Sequence, residues 1–221
     1  MYFQLPKPLH GWRQFVGEVG VIVLGVLIAI ALEQLVETIH WQGQVRDARG
    51  AIGDDMSQTN RAFAFRVAAH DCIAARLIKL NEIIERSARH QPVPHLGEVM
   101  PDIGNALFQN AWQTSRASQT LAHFDRRKLR LYGSYYVGID SVTSFYGHEV
   151  DALTVLRVLE GDPGRLGPSD ISGLRVAVRQ AMFDNDLIAS IAQDSLDTAK
   201  SLGVDVPQAN RTRLADVCRP L

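Results

Sequence analysis

Seven histidines and two cysteines are the side chains in this 221-residue chain best suited to hold a metal or act as nucleophiles. A metal needs three or four convergent ligands, and short signatures supply them at fixed spacing, as in HExxH or CxxC. Neither spacing occurs here. His90 and His95 flank a proline-containing segment, and His148-Glu149 has no second histidine four residues away. There is no GxSxG, no phosphate-cradling glycine loop and no dinucleotide fingerprint. Gly161 to Gly167 is glycine-rich, but it joins two helical patterns and carries no adjacent Lys-Ser/Thr. The residues therefore read as a non-enzyme, with no catalytic residue, no cofactor and no metal.

Three further groups each admit a chemical and a plain reading. Cys72 and Cys218 are not spaced as a redox motif. In an oxidising compartment they form a bond that pins the C-terminal tail to the first long helix; otherwise they are two separate buried thiols. Arg126, Arg127, Lys128 and Arg130 form the densest basic cluster. If four helices alternate in direction, the third starts toward the membrane, where anionic headgroups are natural counterions. The plain reading is a solvated face paired with Asp or Glu. Tyr132, Tyr136, Ile139, Thr143 and Tyr146 share one helical face, with Tyr135 and Phe145 beside it. That face either lines a pocket for an apolar or aromatic ligand or forms bundle core.

What positions these groups begins with an anchor. Val19 to Leu32 is fourteen residues without a polar side chain, bounded by Glu18 and Glu33. Fourteen helical residues rise about 21 Å, short of a hydrocarbon core of roughly 30 Å. Extending to Phe15 and Val36 gives about 33 Å, which spans. Trp12 and Trp41 then sit at the two interfaces, as aromatic belts do. Pro6 and Pro8 fix the start, and no further proline occurs before Pro92. Two readings compete with a transmembrane helix. A buried helix of a soluble domain would need a second apolar segment to surround it. A cleaved signal peptide is suggested by Ala29-Ile30-Ala31, but Glu18 stands where a positive segment should be.

Lys7 and Arg13 precede the span, and no Lys or Arg follows it until Arg46. The positive-inside rule places the N-terminus in the cytoplasm and the bulk of the chain outside, in the periplasm of a Gram-negative cell. At 100° per residue, Glu18, Gly25, Ala29 and Glu33 fall at about 0°, −20°, +20° and +60°, a single stripe. Gly25-x-x-x-Ala29 is a small-xxx-small pair that admits a second helix backbone, from another copy or a different membrane protein. The plain alternative is that the glutamates only mark the interfaces and Gly25 is incidental.

Charge narrows the partners. Lys plus Arg is 23 against 24 Asp plus Glu, with two of each up to Gln34. Neither part has the basic excess that binding a phosphate backbone requires, so no nucleic-acid partner is expected.

Gly11-Trp12-Arg13, Phe15, Gly17-Glu18-Val19, the run Ile22 to Ala29 and Glu33-Gln34 carry a resemblance. They look like the opening of a group of uncharacterised bacterial single-pass inner-membrane proteins with the signature GWRxFxGEVxxIVLGVLIAxxxEQ. The likeness covers about the first 45 residues. It implies an inner-membrane protein with a helical outer region and supplies no activity.

Beyond the span, Leu35, Ile39, Val45, Ile52, Met56, Phe63, Val67, Ile73, Leu77, Leu80 and Ile84 recur mostly at helical steps. The span helix is expected to continue as a stalk to about Arg89. Gly43, Gly50 and Gly53 predict a bend or break near residues 43–53. Gln42, Arg49, Thr59 and His70, at the seam, predict a loosely packed neck. His90 to Gly97 and Gly161 to Pro168 read as turns. Between and after them a second helix is expected from Asp102 to about Ala122. A third runs from Arg126 to about Glu160 with Asp125 as N-cap, and a fourth to about Leu202 capped by Ser169 or Asp170.

The fold class is therefore all-α: one N-terminal transmembrane helix continuing into a long helix, then an antiparallel helical bundle. The divisions are residues 1–10 (cytoplasmic), 11–41 (span with interfacial flanks), 42–202 (periplasmic bundle) and 203–221 (tail). The function expected is a membrane-anchored, non-catalytic interaction subunit of a larger inner-membrane assembly, with the bilayer and other membrane helices as partners. The alternative is a periplasmic ligand-binding sensor bundle.

Overall fold

The computed structural model describes residues 11–101, 103–104, 106–161 and 166–221. Residues 1–10, with Pro6, Lys7 and Pro8, lie outside the described residues, as do Asp102 and residues 162–165 of the second turn. The fold is all-α, with no strand among the described residues. Among the described residues five helices follow one another: α1 (Trp12–Ala88), α2 (Asn110–Ala117), α3 (Arg126–Leu156), α4 (Pro168–Ser201) and α5 (Arg211–Val217). Short 3₁₀ turns occupy Thr120–His123 and Arg157–Glu160. The chain divides into two units, residues 1–47 and 48–221, and α1 contributes to both.

In the first unit α1 is apolar on every side and exposed on every side from Val19 to Leu32. Val21, Ile22, Leu24, Leu27, Leu32 and Val36 are all more than half exposed. The helix is long and apolar enough to cross a membrane, and its most apolar stretch has no buried residue. A core helix of a soluble domain would be buried there.

In the second unit α1 is unbroken, so the expected break at residues 43–53 does not occur. Ile52 and Met56 are fully buried. Burying such side chains is worth about 1.5–3 kcal/mol each, which outweighs about 1 kcal/mol per glycine. Packing tightens beyond residue 53. Thr59 and Asn60 are fully buried, and both are bonded. Thr59 Oγ1 accepts from Phe108 N at 2.9 Å, while Asn60 Nδ2 donates to Asp205 O and its Oδ1 accepts from Tyr135 Oη, each at 2.9 Å. α1 ends with His90 in the left-handed region (φ 55°), with Gln91 N donating to Arg86 O. Pro92 follows, as it commonly does beyond such a cap.

The second helix is much shorter than its sequence predicts. α2 covers Asn110–Ala117 only. Upstream of it, side chains from other elements take the backbone groups that a helix would pair internally. Val99 N donates to Glu160 Oε1 at 2.8 Å, Phe108 N donates to Thr59 Oγ1 at 2.9 Å, and Gly104 O accepts from the Arg213 guanidinium. The Arg76 guanidinium donates to the carbonyls of Glu98, Val99 and Arg219. Val99, Met100 and Ile103 are thereby buried without helix.

This segment is a crossover. Contacts from α1 to α3 rise together (Asn60 to Tyr135, Arg66 to Glu149), so those helices run parallel. Contacts from α1 to α4 run oppositely (His70 to Asp186, Glu85 to Arg175), so α4 is antiparallel to both. α3 starts as expected, with the Asp125 carboxylate accepting from Lys128 N at 2.9 Å. α4 starts earlier than expected. Pro168 is its first residue, and Gly167 N donates to the Asp170 carboxylate at 2.9 Å, so Asp170 sits in the first turn and not at the cap. At its end Gly203 takes φ 79°, with Gly203 N to Lys200 O and Val204 N to Ala199 O, the Schellman pattern. The tail is not featureless either: α5 docks with Val217 buried.

α3 and α4 approach closely at Gly138, where a Cβ would lie 2.4 Å from Ser195 Oγ and 3.6 Å from Ile191 Cγ2. At Gly133 the same atom would meet nothing within 4 Å. Gly138→Val is expected to destabilise by about 1–3 kcal/mol through overpacking. Gly133→Ala is expected to stabilise by about 0.5–1 kcal/mol. Urea unfolding of the two variants checks both; equal midpoints would refute the close approach.

Candidate functional site

Most of the second unit's interior is hydrocarbon, with Leu77, Leu80, Ile84, Leu156, Leu159 and Val178 among its fully buried members. Midway along the bundle the lining changes character. Arg66 of α1, Glu149 of α3 and Asp184 and Asn185 of α4 are all buried. Arg66 Nη2 donates to Glu149 Oε1 at 2.8 Å and to Asn185 Oδ1 at 3.3 Å. Asn185 Nδ2 donates to the His70 carbonyl, and Gln180 Nε2 bridges both Asp184 oxygens at 3.0 Å. Three buried polar atoms of the pair, Arg66 Nε and Nη1 and Glu149 Oε2, have no protein partner. Burial pushes the Glu149 carboxyl above the usual range and Asp184 adds to it, against the pull of Arg66.

Beside this cluster lies a cavity of about 230 Å³. Arg66 forms part of its wall, with Phe63 and Ala62 from α1, Ile139, Val142, Thr143 and Tyr146 from α3, Ile188 from α4, and Ile103, Leu107 and Gln109 from the crossover. The tyrosine face thus serves two ends. Ile139, Thr143 and Tyr146 line the cavity, while the Tyr136 ring stacks on Trp112 at 4.8 Å and Tyr132 packs against Phe124 at 5.9 Å. The polar cluster is absent from the sequence reading, although its phase was visible. Thr59, Phe63, Arg66, His70, Ile73 and Leu77 step by four and three along one face, so Arg66 occupies a core position.

Four residues beyond Arg66 on α1, His70 contacts the Asp186 and Asp71 carboxylates, each at 2.8 Å. The hydrogen bond to Asp186 raises its pKa above 6.5, with partial burial opposing and Asp71 adding. A raised histidine stabilises the fold fully below the unfolded value and loses that contribution as pH climbs through the folded value. Stability should therefore fall between about pH 6 and 8, and His70→Asn should flatten that slope. Urea midpoints at both pH values check it; an unchanged slope in the variant would assign the dependence elsewhere.

The other sequence candidates are dispersed. Glu18, Gly25, Ala29 and Glu33 lie exposed on α1, and a Cβ on Gly25 would meet no atom within 4 Å. Trp12 is exposed; Trp41 is half-buried, its Nε1 donating to Glu37 at 3.3 Å. Arg126, Arg127, Lys128 and Arg130 are all exposed at the start of α3, just after Phe124, whose ring lies under the Arg49 guanidinium at 5.3 Å. Cys72 and Cys218 are joined by a disulfide with Cα atoms 4.9 Å apart, which ties the end of α5 to α1. Among the described residues no three His, Cys, Asp or Glu side chains converge as metal ligands. Set against known protein families, curated proteins and solved structures, the chain matches none of them.

Proposed function

We propose that this chain is a single-pass bacterial inner-membrane protein, N-terminus cytoplasmic and second unit periplasmic, that serves as a non-catalytic interaction subunit of a larger membrane assembly. The observation that carries the reading is the first part of α1, apolar all round and without a buried residue. Such a surface needs lipid, and its Gly25-Ala29 stripe leaves backbone open to a second helix. The Cys72–Cys218 bond supports an oxidising compartment for the second unit. Lys7 and Arg13, against the Lys- and Arg-free stretch that follows the span, support the orientation. The exposed basic cluster at the start of α3 supports added contact with anionic headgroups.

The test is made in native membranes. The full chain should resist alkaline extraction, and reporter fusions to Leu221 should be active only outside the cytoplasm. A photo-crosslinking residue at Ala29 should give one discrete protein adduct, lost in Gly25→Leu. A mature chain beginning near Leu32, or adducts with lipid only, would overturn the subunit. A ligand-binding bundle is the second reading, favoured by the cavity beside Arg66.

A further inference from the structure

The Cys72–Cys218 bond is not sealed in the interior. Cys218 is exposed, Cys72 is half-buried against the hydrocarbon core, and both line a second cavity, of about 540 Å³. Ala75, Arg76 and Lys79 of α1, Pro94 and Leu96 of the segment after it, and Pro220 beyond α5 form other parts of its wall. At roughly 30 Å³ per water-sized group, that space takes about eighteen such groups. A small thiol fits, and so do the few residues around the exposed cysteine of a protein. Exposed disulfides are the labile ones, because exchange needs a thiolate to reach one of the two sulfurs. Lys79 and Arg219 in the wall are already paired with Glu82 and Asp216, at 3.0 and 2.8 Å. Access, and not charge, therefore decides which thiol enters.

We propose that this recess is a thiol–disulfide exchange site, with Cys218 the sulfur attacked and α5 the element that the reaction releases. The proposal goes beyond the subunit reading and is independent of the membrane anchor. An external thiolate bonds to Cys218 Sγ, the bond between the two half-cystines breaks, and its electron pair leaves on Cys72 Sγ, which takes a proton from water. A second external thiolate then attacks the sulfur just added. The two external thiols leave as a disulfide, and Cys218 takes up a proton as a free thiol. Two electrons pass from the external pair to the chain, and an external disulfide drives the same steps backwards. Exposure selects Cys218 for the attack, while Cys72, packed on the core, stays with α1. The output is mechanical. Cys218 directly follows the seven residues of α5, whose Arg213 donates to Gly104 O in the crossover. Arg76 joins α1 to the crossover at Glu98 O and Val99 O and to the tail at Arg219 O. Oxidation holds this junction together, and reduction frees its tail.

Full-length protein in lipid nanodiscs is exposed to reduced glutathione in one arm and reduced thioredoxin in the other, acid-quenched, alkylated and read by peptide mass spectrometry. Reduction of the folded chain should run at least about a hundredfold faster than global unfolding measured by urea jump, because a bond reached only through unfolding breaks no faster than that. The faster arm shows whether a small thiol or a protein thiol suits the recess. Trapped mixed disulfides should fall on Cys218 at least about tenfold more often than on Cys72. Ala75→Trp fills the recess from an exposed position of α1 and should slow both arms at least about tenfold at an unchanged urea midpoint. Trypsin should cut after Arg211 and Arg213 at least about tenfold faster in the reduced chain, and oxidised glutathione should restore resistance. In Cys72→Ser/Cys218→Ser neither thiol should alter the cleavage. Reduction no faster than unfolding, adducts shared equally by the two cysteines, exchange unslowed in Ala75→Trp, or a tail equally resistant in both redox states would each overturn the exchange site and leave the bond a fixed staple.

Discussion

Glu149→Leu with Arg66 left in place is expected to lower the stability of the second unit by about 3–5 kcal/mol, and the double replacement Arg66→Met/Glu149→Leu to recover most of that loss. The asymmetry comes from desolvation. Both side chains are almost wholly buried, at 4% and 1% exposure, so neither charge is screened by solvent. Removing the carboxylate strands a guanidinium whose Nε and Nη1 are already unpartnered, with only Asn185 left as acceptor. Removing both leaves hydrocarbon among Phe63, Val142 and Ile188, where a buried ion pair has no advantage over well-packed carbon. For a domain of this size the single variant should melt about 6–20 °C lower. Urea unfolding of the full chain in micelles, followed by circular dichroism, gives the coupling energy through the four-member cycle. A single-variant loss under about 1 kcal/mol would mean that water reaches Arg66, and the argument for an unpaired guanidinium would fail with it.

The pair also shows which features could be read in the residues and which could not. The fourteen apolar residues from Val19 announce a helix long and apolar enough to cross a membrane. α3 and the end of α1 follow from periodicity plus local punctuation, Asp125 before one and the prolines after the other. α2 does not, because the backbone before it is held by Thr59 at Phe108 and by Arg213 at Gly104, partners from elsewhere in the chain. Local propensity carries no trace of those partners. The glycines mislead for a related reason: Gly50 and Gly53 weaken an isolated helix, but Ile52 and Met56 bury between and beside them. Arg66, Glu149 and Asn185 stand in core phase on three helices, a legible conflict between charge and position. Only the structure shows that they face one another and border a cavity.

Replacing Cys72 and Cys218 together by serine is expected to cost about 2–4 kcal/mol and about 4–16 °C of melting temperature. The bond closes a loop of 146 residues, so in the chain-entropy account it restricts the unfolded ensemble by about 5 kcal/mol, a ceiling that residual denatured structure lowers. A local effect should be larger than the global one. α5 has seven residues, well below the length at which an isolated helix persists. Besides the disulfide it is held by the buried Val217, by Arg76 donating to Arg219 O at 2.6 Å, and by the Arg213 guanidinium 4.4 Å over the Phe65 ring. Arg213 also donates to Gly104 O, so releasing α5 loosens the crossover that walls the cavity. Amide exchange at residues 205–221 should therefore accelerate in the serine variant and on reduction, with a smaller acceleration at residues 103–109. Unchanged protection in both segments, with an unchanged urea midpoint, would show that the packing of Val217 and Arg76 alone fixes the tail and that the bond contributes nothing.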